Sequence, residues 1–151
     1  MKITHTIIVM FIGSFIIQYL LMPAIMVNQS RDITNNIGKI YSSILMALFM
    51  IGLEIMMHDH HYSVFSLNMY IILACLIALF VYLYRNQVAI KDKQYLEGMI
   101  EHHSMGILTS ESILNKTNSY EVSKLAKDII QTQKDEIHIM REIIKKQENN
   151  N

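Results

Sequence analysis

Three apolar stretches fill most of the first 85 residues, and each is close to the length a helix needs to cross a bilayer. Thr6 to Val27, "TIIVMFIGSFIIQYLLMPAIMV", carries no charge and is about long enough to span ~30 Å of hydrocarbon as a helix. Its only basic flank is Lys2 and no A-x-A cleavage pattern follows, so it reads as an uncleaved span, kinked near Pro23, rather than a signal peptide. Ile40 to Met57, "IYSSILMALFMIGLEIMM", is interrupted only by Glu54, and Ser63 to Tyr84, "SVFSLNMYIILACLIALFVYLY", has no charge. The linkers, "NQSRDITNNIGK" and "HDHHY", are short. These features predict an all-α chain with three transmembrane helices over residues 6–27, 40–57 and 63–84.

Charge is distributed to match. Residues 1–90 hold four of the 13 Lys and Arg and three of the 13 Asp and Glu, so the remaining 61 residues are a solvated, charge-mixed segment. Net charge is zero and no basic run occurs, which argues against nucleic acid as a partner, because phosphate neutralisation needs clustered Lys and Arg. The lone Cys75 cannot form an internal disulfide. Methionine is abundant at 12 residues with no tryptophan, which fits either membrane packing or soft-metal chemistry.

After Arg85 the periodicity becomes that of amphipathic helices. Leu96, Ile100, His103, Ile107 and Leu114 form one stripe. "NKTNS" at 115–119 breaks it, and Asn118 with Glu121 has the form of a capping box that opens a second helix. The second stripe is Val122, Leu125, Ile129, Gln133, Ile137, Met140 and Ile144, and a short turn between two such stripes predicts an antiparallel helical hairpin. Nothing between Tyr84 and Gly98 forces a break, so the third span is free to run on into this hairpin. The expected organisation is a membrane domain over 1–88, a hairpin domain over 89–147 and a frayed tail over 148–151.

"MIEHHSM" at 99–105 places two thioethers and two imidazoles within two helical turns. Met99 shares a side with His102 and His103, and Met105 lies one turn beyond His102. Folding about Lys116–Thr117 sets Gln131 and Gln133 beside His103 and Glu136 near Met99, with His138 and Met140 within a turn of the same level. Thioether sulfur with neutral imidazole suits cuprous copper or silver, whereas magnesium and calcium favour carboxylates. The competing reading is a packed core histidine with methionines filling gaps. A second candidate cluster, Glu54, Met57, His58, His60 and His61, caps the second span. Its carboxylate near the membrane edge is expected to pair with His58, or else to reach the interface by extending its stem.

Enzymatic readings have little footing. A ferritin-like di-iron site needs Glu-x-x-His pairs, but Glu54, Glu101 and Glu136 are followed at that spacing by Met57, Ser104 and Ile139. H-E-x-x-H and glycine-rich phosphate loops are absent, and Ser104 and Ser110 have no orienting acid or elbow turn.

"YLEGMIEHHSMGILTSESI" followed by "SKLAKDIIQTQKDEIHIMREII" resembles the domain of unknown function 305 family. The family pattern of a Met, paired His and a later Ala-x-x-Ile-Ile-x-x-Gln-x-x-Glu-Ile-x-x-Met falls on Met99, His102, His103, Ala126, Ile129, Ile130, Gln133, Glu136, Ile137 and Met140. The three preceding spans resemble a membrane-bound subgroup. The resemblance implies a ferritin-like helical fold without its di-iron site, and extracytoplasmic binding of copper or silver by Met and His. Met99, His102, His103 and Met140 are its candidate ligands, with Met105, His138 and Glu136 as further ones, and Gln133 and Glu136 as partners that fix the ring tautomers. The chain departs from the pattern at Glu101, where many members have proline, and at Thr109, where many have methionine.

The expected function is therefore a non-enzymatic membrane protein that binds or sequesters cuprous copper or silver, with lipid and metal as partners and self-association of the hairpin. The rival is a structural or interaction module with packed histidines. On topology two lines of reasoning conflict. Arg31, Lys39, Arg85, Lys91 and Lys93 lie on the side of the tail, which favours a cytoplasmic tail by the positive-inside rule. The family resemblance favours an extracytoplasmic one, and the expectation follows the resemblance.

Overall fold

The computed structural model describes residues 3–149, which are helical with no β-strand among them. The elements are α1 (Ile3–Ile16), a π-helical turn (Ile17–Leu21), α2 (Met22–Met26), a 3₁₀ turn (Ser30–Asp32), α3 (Ile37–Tyr62), α4 (Leu67–Arg85), α5 (Asp92–Leu114) and α6 (Tyr120–Asn149). They form two compact units. One contains residues 3–22 and 37–89; the other contains residues 23–36 and 90–149. Residues 23–36, which the sequence assigns to the membrane half, thus cluster with α5 and α6.

Three helices are long and apolar enough to cross a membrane: Ile3–Met26, Ile37–Tyr62 and Leu67–Arg85, of 24, 26 and 19 residues. At 1.5 Å per residue even the shortest rises roughly 28 Å, close to the ~30 Å hydrocarbon core. In the first unit α3 packs against both α1 and α4. Its fully buried positions are small, Ser43 and Ala47, and a Cβ on Gly52 would lie 3.1 Å from Leu73 Cδ2 on α4. Small residues let backbones approach closely where no hydrophobic effect drives association.

The spans differ from expectation at three places, each with a local cause. The irregularity of the first span is a π turn at Ile17–Leu21, one turn before Pro23. Proline cannot donate to the carbonyl four residues back, and the helix widens there. The "HDHH" segment is not a linker but the last turn of α3, which runs on to Tyr62 because no glycine or proline stops it; the turn comes at Ser63, with φ 52°. Finally, α4 does not run on into α5. Gln87 and Ala89 adopt positive φ of 51° and 60°, while Asn86 Nδ2 and Gln87 Nε2 donate to the terminal carbonyls of Tyr82 and Tyr84 at 2.9 and 2.7 Å. Side-chain amides thus supply the donors that the helix end lacks.

In the second unit α5 and α6 pack antiparallel, since their cross-links pair Lys93 with Glu148, His103 with Glu136 and Glu111 with Lys134. The shared core is Ile100, Ile107, Ile137 and Met140, with Leu96, Met99, Ile130 and Ile144 packed around it. The inward positions are Leu96, Ile100, His103, Ile107, Ser110 and Leu114 on α5, and Ala126, Ile130, Gln133, Ile137, Met140 and Ile144 on α6. Both series alternate steps of four and three, the spacing of two helices in contact along a seam. Val122 and Leu125, expected on that seam, are 42% and 60% exposed. The reason is register: α6 is displaced by at least five residues from the fold about Lys116–Thr117, His103 meeting Glu136 instead of Gln131, so its first turn projects past the end of α5. Ser119, not Asn118, caps α6, its Oγ accepting from Val122 N at 3.3 Å.

Candidate functional site

The register places four side chains at two adjacent levels of the α5/α6 seam. His103 Nδ1 lies 3.1 Å from Glu136 Oε2. One turn back along α5 is Met99, and one turn on along α6 is Met140, so antiparallel packing brings the two methionines level with each other. Met140 is buried and Met99 packs against the same core cluster. The His103 side chain is 14% exposed and that of Glu136 49%. Two thioethers and one imidazole are thus directed to one stretch of seam, a donor set of the type that soft monovalent cations prefer.

The polar atoms here are incompletely satisfied. His103 Nδ1 faces Glu136 off the hydrogen-bond axis, and it and Gln133 Oε1 are buried without a hydrogen bond. Gln133 lies directly over Gly106, where an added Cβ would collide with its amide. A histidine that donates from Nδ1 to a carboxylate keeps the Nε2 lone pair for a ligand, and Glu136, at 3.1 Å, is close enough to accept that bond once the two groups align. Among the described residues no group of three or more His, Cys, Asp or Glu gathers to hold a metal ion, so any cation held here depends on thioether sulfur.

Other sequence-derived candidates are dispersed. His102 is exposed, its ring centroid 6.2 Å from that of His103. Met105 is half-buried, and His138 is exposed on a different face of α6, where it lines a cavity with Lys134 and Arg141. Glu136 lies beside His103 rather than near Met99, Gln131 is exposed and bonded to Asp135, and Gln133 is the seam residue. Thr109 donates to the carbonyls of Met105 and Gly106 at 3.2 and 3.1 Å. In the second cluster His58 pairs with Asp59 at 3.2 Å rather than with Glu54, while Met57, His60 and His61 are exposed. Asp59 in turn accepts from Ser66 N and Oγ at 2.6 and 2.8 Å and so secures the turn into α4.

Sequence reasoning missed a buried polar clamp between the segment 27–36 and α5/α6. Asp32, 4% exposed, accepts from Ser104 Oγ at 2.6 Å and forms an ion pair with Arg141. Ser104 Oγ also accepts from Asn28 N at 2.9 Å. Glu101, 5% exposed, accepts from Thr34 N and Oγ1 at 3.2 and 3.1 Å, and a Cβ added to Gly98 would lie 3.6 Å from the Asn36 side chain. Glu101, at the position where the family pattern often has proline, is thus a partner of the segment. The available signals were small or polar residues on the second buried face of α5, namely Gly98, Glu101 and Ser104.

Residues 82–146 match the domain of unknown function 305 (DUF305). Uncharacterized protein L153 of Acanthamoeba polyphaga mimivirus is 37% identical over 138 residues, covering 91% of this chain and 90% of its own length. No solved structure matches the chain. With a shared identity of this extent and the domain match across α5 and α6, the chain belongs to the family of L153 and carries a DUF305 domain.

Proposed function

We propose that this is a three-span membrane protein whose α5/α6 hairpin, a ferritin-like domain without a di-iron site, binds cuprous copper or silver and buffers it or passes it on. Met99 and Met140 supply sulfur, His103 supplies imidazole, and Glu136 and Gln133 orient the ring. One observation carries this reading: Met99, His103, Glu136 and Met140 lie at adjacent levels of one seam, with His103 Nδ1 and Gln133 Oε1 buried and without a hydrogen bond. His102, exposed beside His103, is an outer site that delivers or receives the ion.

The test is titration of the full chain in detergent with cuprous ion against a competing chelator. Met99→Leu and Met140→Leu remove sulfur while conserving volume, a swap that costs less than about 1.5 kcal/mol in a core. Each is expected to weaken binding at least tenfold, as is His103→Gln. Unchanged affinity in all three overturns the reading. The domain lies outside the cytoplasm on this reading, so alkaline phosphatase fused at Asn151 is expected to be active, and an inactive fusion reverses the orientation.

The rival reading, a module for self-association, is favoured by a second apolar stripe on α6. Leu125, Ile139 and Ile143 are exposed on one face of a helix otherwise rich in charge. The two readings are compatible, because two hairpins joined through these stripes would make a four-helix bundle with both metal seams intact.

A further inference from the structure

Within the second unit a cavity of about 350 Å³ opens between the segment 28–32 and α6. Its walls include Arg31 and Asp32 from the segment and Lys134, His138 and Arg141 from α6. Lys134, His138 and Arg141 are spaced four and three apart, so they share one face of α6, and Arg31 faces them from the segment. Three permanent cations therefore line the cavity against the single carboxylate of Asp32. That carboxylate is already engaged by Ser104 and Arg141. Lys134 also meets Glu111 at 3.1 Å, an exposed pair of little strength that a bound anion can displace. The net lining charge of two positive units matches a dianion.

Arg141 is the built element of this site. Its NH2 group is held by Asp32 and by the Arg31 carbonyl, which fixes the guanidinium plane while Nε and NH1 are not consumed by those bonds. A pre-positioned guanidinium fork recognises phosphate oxygens with two donors. Ile107 and Ile137, both nearly fully buried, leave only a small apolar floor, so the cationic wall and not an apolar face selects the ligand. The volume falls at the lower end of small-molecule sites, about 300–1,000 Å³.

From this lining we infer that the cavity binds a small phosphomonoester, its phosphate held by Arg141, Arg31 and Lys134. The inference is independent of metal binding at the seam. Two sources offer the same chemistry: a soluble phosphomonoester, or the head of a lipid such as phosphatidic acid. Connectivity supports the lipid source, because Asn28 to Asp32 belong to the short link between the spans ending at Met26 and beginning at Ile37.

The experiment uses the full chain in neutral phosphatidylcholine nanodiscs, titrated with glycerol 3-phosphate and, separately, with nanodiscs containing phosphatidic acid, read by phosphorus NMR and calorimetry. Saturable binding of either probe is expected, at least tenfold weaker in the Arg31→Gln/Lys134→Gln double variant. Both residues are exposed, so the variant is expected to fold, and an unchanged circular dichroism spectrum checks this. Saturation by glycerol 3-phosphate identifies a soluble ligand; response to phosphatidic acid alone identifies a lipid head. Absence of saturable binding by both probes overturns the inference, as does binding that the folded double variant retains in full. Its failure is distinguishable from that of the cuprous titration, since neither substituted residue is among the proposed metal donors.

Discussion

Ser104 Oγ donates to Asp32 Oδ2 at 2.6 Å although the two residues are 72 positions apart. Through the same hydroxyl, which also accepts from Asn28 N, a small side chain in the middle of α5 fixes both ends of the segment 28–32. Neither residue is conspicuous in the sequence, yet both are almost entirely buried.

Removing this hydroxyl leaves a part-buried N–H and a buried carboxylate each short of one partner, which costs up to about 1–3 kcal/mol per orphaned group. Ser104→Ala is therefore expected to speed amide exchange at Asn28 roughly ten- to hundredfold, with little change at the seam amides of Ile107 and Ile137. Asp32→Asn is expected to be more damaging, because it also removes the partner charge of Arg141. Exchange at Asn28 that stays at the wild-type rate in both variants would show that the clamp does not hold the segment.

Gly106 lies under the Gln133 amide, and the atoms an added Cβ would meet are the far end of a flexible side chain whose Oε1 has no hydrogen bond. Gly106→Ala gains about 1 kcal/mol of helix propensity while pushing that amide aside at little cost. Thermal stability is expected to hold or rise, and, on the proposed metal-binding reading, cuprous affinity to fall, since a displaced Gln133 would not orient the site. A fall in stability together with unchanged affinity would mean that Gln133 packs rather than positions.

Where α5 begins, Lys93 Nζ donates to Glu148 Oε1 at 2.6 Å near the end of α6. This hydrogen bond, with the attraction of Glu148 and Glu97, holds the Lys93 ammonium above its ordinary value of 10.5. A raised folded-state value means that the tie contributes fully below the unfolded value and is lost as pH rises through the folded one. Helix-end fraying followed by circular dichroism is thus expected to increase above about pH 10.5 in the wild type, and the difference from Lys93→Gln to be confined to lower pH. A constant difference across that range would exclude the tie as the source.

The exposed stripe of α6 predicts self-association. Leu125 and Ile139 are 60% and 55% exposed, and Leu125→Glu with Ile139→Glu places two charges on that face without touching the seam. Cross-linking in detergent is expected to yield dimers for the wild type and monomers for the double variant. Equal dimer yield would locate any contact elsewhere.

Apolar runs of bilayer length, read directly from composition, determined that the chain has three helices able to span a membrane, because burial of backbone in hydrocarbon leaves little choice but a helix. The two later helices were equally legible as amphipathic periods. Tertiary structure alone decided the register of α5 against α6, which moved Glu136 from Met99 to His103 and left Val122 and Leu125 in solvent. Periodicity reports which face of a helix is apolar, but not how far one helix slides along another; that is set by turn geometry and by contacts such as Gln133 on Gly106. The attachment of residues 23–36 to α5 and α6 was likewise invisible, since it rests on long-range polar bonds from Asp32, Thr34 and Asn28 that leave no periodic trace.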